Sequence, residues 1–132
     1  MKYIKKFESI TNEPQLTMWI SNKNLTELPE LPDTLELLNC SNNKLKTLPI
    51  LPESITELLC DNNELTTLPA LPNNLRLLYC VNNKLTTLPI LPDTLIDLQC
   101  NGNNLPYTNL IEYNEWMNIN HPEVINAKKF NI

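Results

Sequence analysis

Leu75-Arg76-Leu77-Leu78-Tyr79-Cys80-Val81-Asn82-Asn83-Lys84-Leu85 decides the fold, because its frame of Leu, Cys, Asn and Leu returns every twenty residues on either side. Cysteines stand at 40, 60, 80 and 100, asparagines at 43, 63, 83 and 103, and leucines at 45, 65, 85 and 105. Upstream in each row come an apolar residue, Leu35, Ile55, Leu75 or Leu95, and then Leu38, Leu58, Leu78 or Leu98. The rows open on Leu28-Pro29-Glu30-Leu31-Pro32, Leu48-Pro49-Ile50-Leu51-Pro52, Leu68-Pro69-Ala70-Leu71-Pro72 and Leu88-Pro89-Ile90-Leu91-Pro92. Met18, Ile20 and Leu25 extend the frame one partial row earlier, with Lys23 where the asparagine would be.

Each row carries two periodicities. Leu58 and Cys60 are two apart, which places them on one face of a short strand and Leu59 on the other. The leucines of Leu-Pro-x-Leu-Pro are three apart, and two prolines fix φ near -65° while withholding ladder donors, which suits an extended three-residue-per-turn path. Strand on one side and Pro segment on the other describe one turn of a coil, too short to hold a helix. An isolated coil cannot offset its conformational entropy. Stacked coils cover each other's leucines and pair their strands, so the chain is expected to be a repeat solenoid stabilised between neighbours.

The conserved spacing also places polar and thiol columns. A buried amide must satisfy its donors and its acceptor together, and the backbone of its own and the adjacent coil offers both. Asn43, Asn63, Asn83 and Asn103 are therefore expected to form a structural ladder. Strands about 4.8 Å apart put Cys40, Cys60, Cys80 and Cys100 in a row about 14 Å long, which cannot close around one metal. In-register Cβ atoms nearly 5 Å apart also exceed what a disulfide wants. The expectation is four reduced, buried thiols acting as small apolar residues, with disulfides as the less favoured alternative and with no metal or other cofactor.

The pattern of Leu75 to Leu85 resembles the leucine-rich repeat. Its twenty-residue length and Leu-Pro-x-Leu-Pro opening are similar to the short class found in secreted effectors of Gram-negative pathogens, including the recognition domains of bacterial effector ubiquitin ligases. The tail Leu105-Pro106-Tyr107-Thr108-Asn109-Leu110 and the frequent Asn and Ile also resemble small repeat proteins of giant DNA viruses. The resemblance implies a curved solenoid, with parallel short strands on the concave face, an extended Pro-rich convex side and short helical caps at both ends, that binds another protein on its concave face. Ligase activity is not carried over, since it belongs to a separate large domain with its own cysteine, and all four cysteines here lie in the repeats.

Composition narrows the remaining classes. The 132 residues hold one Gly and eleven Pro, which argues against phosphate loops and dinucleotide fingerprints. A net charge of -5 with a single Arg leaves no footprint for nucleic acid. The charged start Met1-Lys2-Tyr3-Ile4-Lys5-Lys6 has no apolar signal core, and no stretch matches a membrane span, so an intracellular, cytoplasmic protein is expected, in the host cytoplasm if it comes from a pathogen or virus. The tripeptides Asn24-Leu25-Thr26 and Asn39-Cys40-Ser41 match the glycosylation acceptor pattern, which carries little weight without a secretory route. The sole His121, before Pro122, reads as a helix-start residue, and no second His completes acid–base chemistry.

Three segments follow: residues 1–14 as an N-terminal cap, 15–107 as the solenoid of about five coils, and 108–132 as a helical C-terminal cap. Tyr3 or Ile4, Phe7 and Ile10 have helical spacing, as do Leu110, Tyr113, Trp116 and Met117 from near Asn109. Pro122 then opens a second helix with Val124, Ile125 and Phe130. An exposed Trp116 or Phe130 would point to a join between two chains.

Strand residues between the buried ones point out on the concave side, in three columns. The first is Thr17, Leu37, Glu57, Leu77 and Asp97; the second Trp19, Asn39, Leu59, Tyr79 and Gln99; the third Ser21, Ser41, Asp61, Val81 and Asn101. Trp19, Leu37, Leu59, Leu77, Tyr79 and Val81 make an apolar path edged by Glu57, Asp61 and Asp97, the apolar-centre and polar-rim composition of an interface. The expectation is a monomeric, non-enzymatic module that binds a protein or peptide segment, extended or helical, with apolar side chains and basic flanks. The alternative is a structural or self-associating protein whose apolar surface is covered by another copy. Catalysis by Glu57, Asp61 and Asp97 is disfavoured, because an open face does little to shift a carboxylate.

Overall fold

The computed structural model describes residues 16–130, with the side chains at 128–130 outside it; the N-terminal cap expected over 1–14 also lies outside. Five strands, β1 (Thr17–Trp19), β2 (Leu37–Asn39), β3 (Glu57–Leu59), β4 (Leu77–Tyr79) and β5 (Asp97–Gln99), form one sheet in chain order. All pair in parallel, and every register step is twenty residues, as in Met18↔Leu38 and Leu58↔Leu78. Identical positions therefore stack vertically, which is the leucine-rich-repeat solenoid.

The strands are short for a local reason. Each has one inward residue, Met18, Leu38, Leu58, Leu78 or Leu98, and the chain turns away three residues beyond the strand at a left-handed residue. Asn22, Asn42, Asn62 and Asn82 hold φ of 59°, 58°, 55° and 55°, and Gly102 holds 75° in the same column. Asn and Gly are the residues that take this conformation most readily. The return path turns back through Leu35 N–H to Pro32 O at 3.1 Å and its equivalents at Ile55, Leu75 and Leu95.

The core is a set of vertical columns. Leu38, Leu58, Cys40, Cys60, Cys80, Leu45, Leu65, Leu85, Leu35, Ile55 and Leu75 are fully enclosed, and Leu48, Leu51, Leu68, Leu71 and Leu91 close it from the Pro-rich side. Stacked in this way, every coil supplies both floor and ceiling to a neighbour.

Beyond β5 the chain covers the last open edge itself. Cys100 N–H donates to Thr108 O at 2.9 Å, and Gln99 pairs with Asn109 in an antiparallel bridge, so part of the edge is occupied. Asn109 then caps α1 (Leu110–Asn120): its side-chain oxygen accepts from Glu112 N–H at 2.9 Å, and Glu112 accepts in return from Thr108 N–H. His121 separates α1 from α2 (Pro122–Phe130), which starts on its proline. Tyr107 and Tyr113 are buried against the last coil, and Trp116 and Met117 pack partly buried beside them.

Candidate functional site

In-register stacking sets out the strand face as a small grid. Thr17, Leu37, Glu57, Leu77 and Asp97 pair neighbour to neighbour, as do Trp19, Asn39, Leu59, Tyr79 and Gln99. Leu37, Leu59, Leu77, Tyr79 and Val81 are half-buried, while Trp19 is 55% exposed and Gln99 is exposed. Ser41 differs from its column mates: it is only 8% exposed, because its hydroxyl accepts from Asp61 N–H at 3.2 Å and its own N–H donates to Asn39 Oδ1 at 3.1 Å.

The polar members of the face are tied down from one coil to the next. Tyr79 donates its hydroxyl to Asp97 Oδ2 at 2.6 Å. Val81 N–H donates to Asp61 Oδ1 at 2.7 Å. The Asp97 bond, then partial burial and the charges of Asp97, Asp61 and Glu57, push the Tyr79 phenol above its ordinary value. Burial raises the Asp61 carboxyl, opposed by the Val81 bond. Among the described residues no ion pair engages Glu57, Asp61 or Asp97, and the three columns contain no Lys, Arg or His. The face is apolar at its centre and uniformly acidic where charged.

Behind it, the four asparagines act between coils. Asn63 Nδ2 donates to Cys40 O and Cys60 O at 3.1 and 3.2 Å, and its oxygen accepts from Leu45 N–H at 3.0 Å. Asn83 makes the same bonds to Cys60 O, Cys80 O and Leu65 N–H, and Asn103 to Cys80 O, Cys100 O and Leu85 N–H. Asn43 reaches Ile20 O and Cys40 O and accepts from both Lys23 N–H and Leu25 N–H. The asparagine of one coil thus satisfies the coil before it. Lys23 stands at the position whose amide would serve a still earlier coil.

A second amide column escaped the sequence reading. Asn62 Nδ2 donates to Asn42 Oδ1, and Asn82 Nδ2 to Asn62 Oδ1, each at 2.8 Å on the exposed surface. It ends at Gly102, where a Cβ would lie 2.0 Å from Asn82 Oδ1. The signal was present: Asn at 22, 42, 62 and 82 with Gly at 102 marks a left-handed position that recurs in every coil, to which the first coil adds Asn24 at φ 57°.

Cys40, Cys60, Cys80 and Cys100 are unpaired and buried. Burial pushes Cys40 up to about 12 and Cys100 up to about 11, and raises Cys60 and Cys80 well above the ordinary thiol range. Among the described residues no group of three or more His, Cys, Asp or Glu is placed to hold a metal.

At the other end of the molecule, Leu88, Ile90, Tyr107, Tyr113, Trp116 and Met117 line a mostly apolar cavity of about 390 Å³ between the last coil and the helices. Tyr107 packs edge-on to Tyr113 and Trp116, with ring centroids 5.0 and 5.5 Å away. The His121 ring lies 5.3 Å from Trp116. No helix among the described residues is long and apolar enough to cross a membrane.

No family model matches the sequence, and comparison with curated proteins finds no match. Among solved structures, YopM from Yersinia enterocolitica is similar over 68% of this chain, with 36% identity and a TM-score of 0.66. A Shigella effector LRR domain is similar over 77% of this chain, with 35% identity and a TM-score of 0.70. The chain spans 22% of the first structure and 47% of the second.

Proposed function

Because the chain is a leucine-rich repeat solenoid of the short twenty-residue class, similar to the LRR domains of bacterial effectors, we propose that it is a non-enzymatic module that binds another protein through its concave strand face. The observation that carries this is the apolar path Leu37, Leu59, Leu77, Tyr79 and Val81, held half-exposed on a rigid sheet and bordered by Glu57, Asp61 and Asp97. Trp19, Asn39 and Gln99 complete the contact surface. Rigid placement lowers the ordering cost of association. Five strands span only about 20 Å, so the interface lies near the lower end of the specific range, around 1,200 Å² in total, with modest affinity. The module works as a monomer in the cytoplasm, without nucleic acid, membrane or cofactor.

The test is affinity capture from native cells with wild type and with Leu59→Asp plus Tyr79→Asp. Both substituted side chains are half-exposed, so the variant keeps its core. Loss of a specific partner with the fold intact supports the face. A partner retained at full strength places the interface elsewhere.

Self-association is the second reading. It draws on Ile50 and Ile90, 91% and 78% exposed on the Pro-rich side with the exposed Ala70 between them. Light scattering decides it: a dimer that persists on dilution favours this reading, and a monomer favours the concave-face module.

A further inference from the structure

The strand face has a pitch as well as a composition, and the pitch discriminates between partner conformations. Parallel strands repeat about every 4.8 Å along the solenoid axis. An α-helix laid along that axis advances about 5.4 Å per turn, so it slips by only about 0.6 Å for each coil passed. An extended segment on the same line repeats its same-face side chains every 6.8 Å or so, and is about 2 Å out of step after one coil. Running along the strands instead, an extended segment would meet elements only three residues long.

Apolar and charged positions follow the same axis. Leu37 on β2, Leu59 on β3, and Leu77 and Tyr79 on β4 offer apolar contact on three successive coils. Glu57 and Asp61 flank Leu59 on either side, and Asp97 closes the path on β5. These three carboxylates have no cationic neighbour in the grid. Burying them against a neutral or acidic partner would leave charge uncompensated.

Resting on the concave-face reading, we propose that the occupant is an amphipathic α-helix of a partner protein with aliphatic side chains at i, i+4 and i+7 and Lys or Arg on both edges of that stripe. Five strands are matched by about 13 helical residues. Its aliphatic residues sit in turn on Leu37, Leu59 and the Leu77–Tyr79 pair. One flanking cation meets Glu57, the other Asp61, and a fourth-turn cation meets Asp97.

The test uses three synthetic, fluorescently labelled peptides with the full chain. The first carries leucines at i, i+4 and i+7 with flanking lysines, stapled on its outer face because a helix this short is marginal alone. The second replaces each Lys by Glu. The third keeps the first composition but carries a central proline and no staple. Fluorescence anisotropy is expected to show the first binding at least about tenfold more tightly than either other peptide, as expected when 1.4 kcal/mol or more separates them. Binding should weaken as salt rises and be lost with Leu59→Asp plus Tyr79→Asp. Equal binding of the Lys and Glu peptides, equal or tighter binding of the proline peptide, or no binding by any of them overturns the inference. The concave face itself is judged separately by native-partner capture, so a captured partner that contacts this face through an extended or acidic segment sinks the helix and leaves the face standing.

Discussion

Tyr79 and Asp97 are joined across the concave face, phenol to carboxylate at 2.6 Å, linking β4 to β5 by side chains where the backbone already links them. The bond shows directly in the titration of the phenol. In wild type Tyr79 should ionise above the ordinary value of 10.0, as should Tyr107, which burial pushes up to about 12, and Asp97→Asn should bring Tyr79 alone back down. Ultraviolet difference titration of both proteins, with Tyr79→Phe to assign the signal, checks this. The raised phenol favours the fold at pH below its ordinary ionisation, and that contribution is lost as pH climbs through the folded-state value.

The thiol column makes a stronger alkaline prediction. Four buried cysteines have folded-state values raised above 9.0, among them Cys40 at about 12 and Cys100 at about 11. Above pH 9 the unfolded chain releases these protons and the folded chain keeps them, so stability must fall as pH rises. The slope is up to about 1.4 kcal/mol per pH unit for each thiol ionised only in the unfolded state. Urea melts at successive pH values, compared with a variant bearing Cys60→Ala and Cys80→Ala, should show the shallower slope in the variant.

Reactivity should follow the same burial. In native protein a thiol reagent should label slowly, and in denaturant it should label all four sites. Cys100 should react first in the native state, because it lies under the tail and cap rather than between two complete coils, where opening is easiest. Mass spectrometry of time-resolved alkylation orders the sites, and labelling of Cys60 before Cys100 would contradict the stacked core.

The buried Asn63 side chain carries four coil-to-coil or turn-closing bonds, to Leu45 N–H, Cys40 O, Cys60 O and Asp61 O. Asn63→Ala leaves Cys40 O, Cys60 O and Leu45 N–H without that partner, and should cost about 3 kcal/mol or more. Asn103→Ala, in a part-buried position, should cost less. Chemical denaturation of the two variants measures the difference.

Gly102 separates backbone strain from side-chain crowding. With φ of 75° and Asn82 Oδ1 in the space a Cβ would fill, Gly102→Val should cost about 2 kcal/mol or more. Gly102→Asn should be far milder, since Asn tolerates this conformation and the exposed Asn82 amide can rotate to continue its column. Thermal melts of both variants test the contrast.

The fold was legible because identical residues stack. Leu38, Leu58, Leu78 and Leu98 have one environment, so a period of twenty residues translates directly into register. The leucine and proline spacings likewise gave the short strands and the coil without a helix. Contacts that cross the repeat were harder to see. The Tyr79–Asp97 bond joins unlike columns eighteen residues apart and depends on side-chain rotamers. Ser41 is buried because Asn39 and Asp61 both engage it, while Val81 in the same column stays half-exposed. In each Asn-Asn pair the first residue takes the left-handed turn and the second the buried bonds, a division of labour that composition alone does not reveal. The cavity beneath α1 and α2 joins the Pro-rich side to the tail, and no repeat relates those two segments.

Because each buried asparagine serves its predecessor, the coils overlap like shingles on a roof. Stripping the last one bares the course beneath it, so damage entering from the carboxyl edge can travel upward row by row. Losing the topmost row strips backbone acceptors from Glu36, Leu37 and Lys44 N–H, but leaves Cys40 O and Leu45 N–H still held from below by Asn63. The array therefore has a grain, and the tail that lies over β5 is the flashing that keeps weather out of the vulnerable eave.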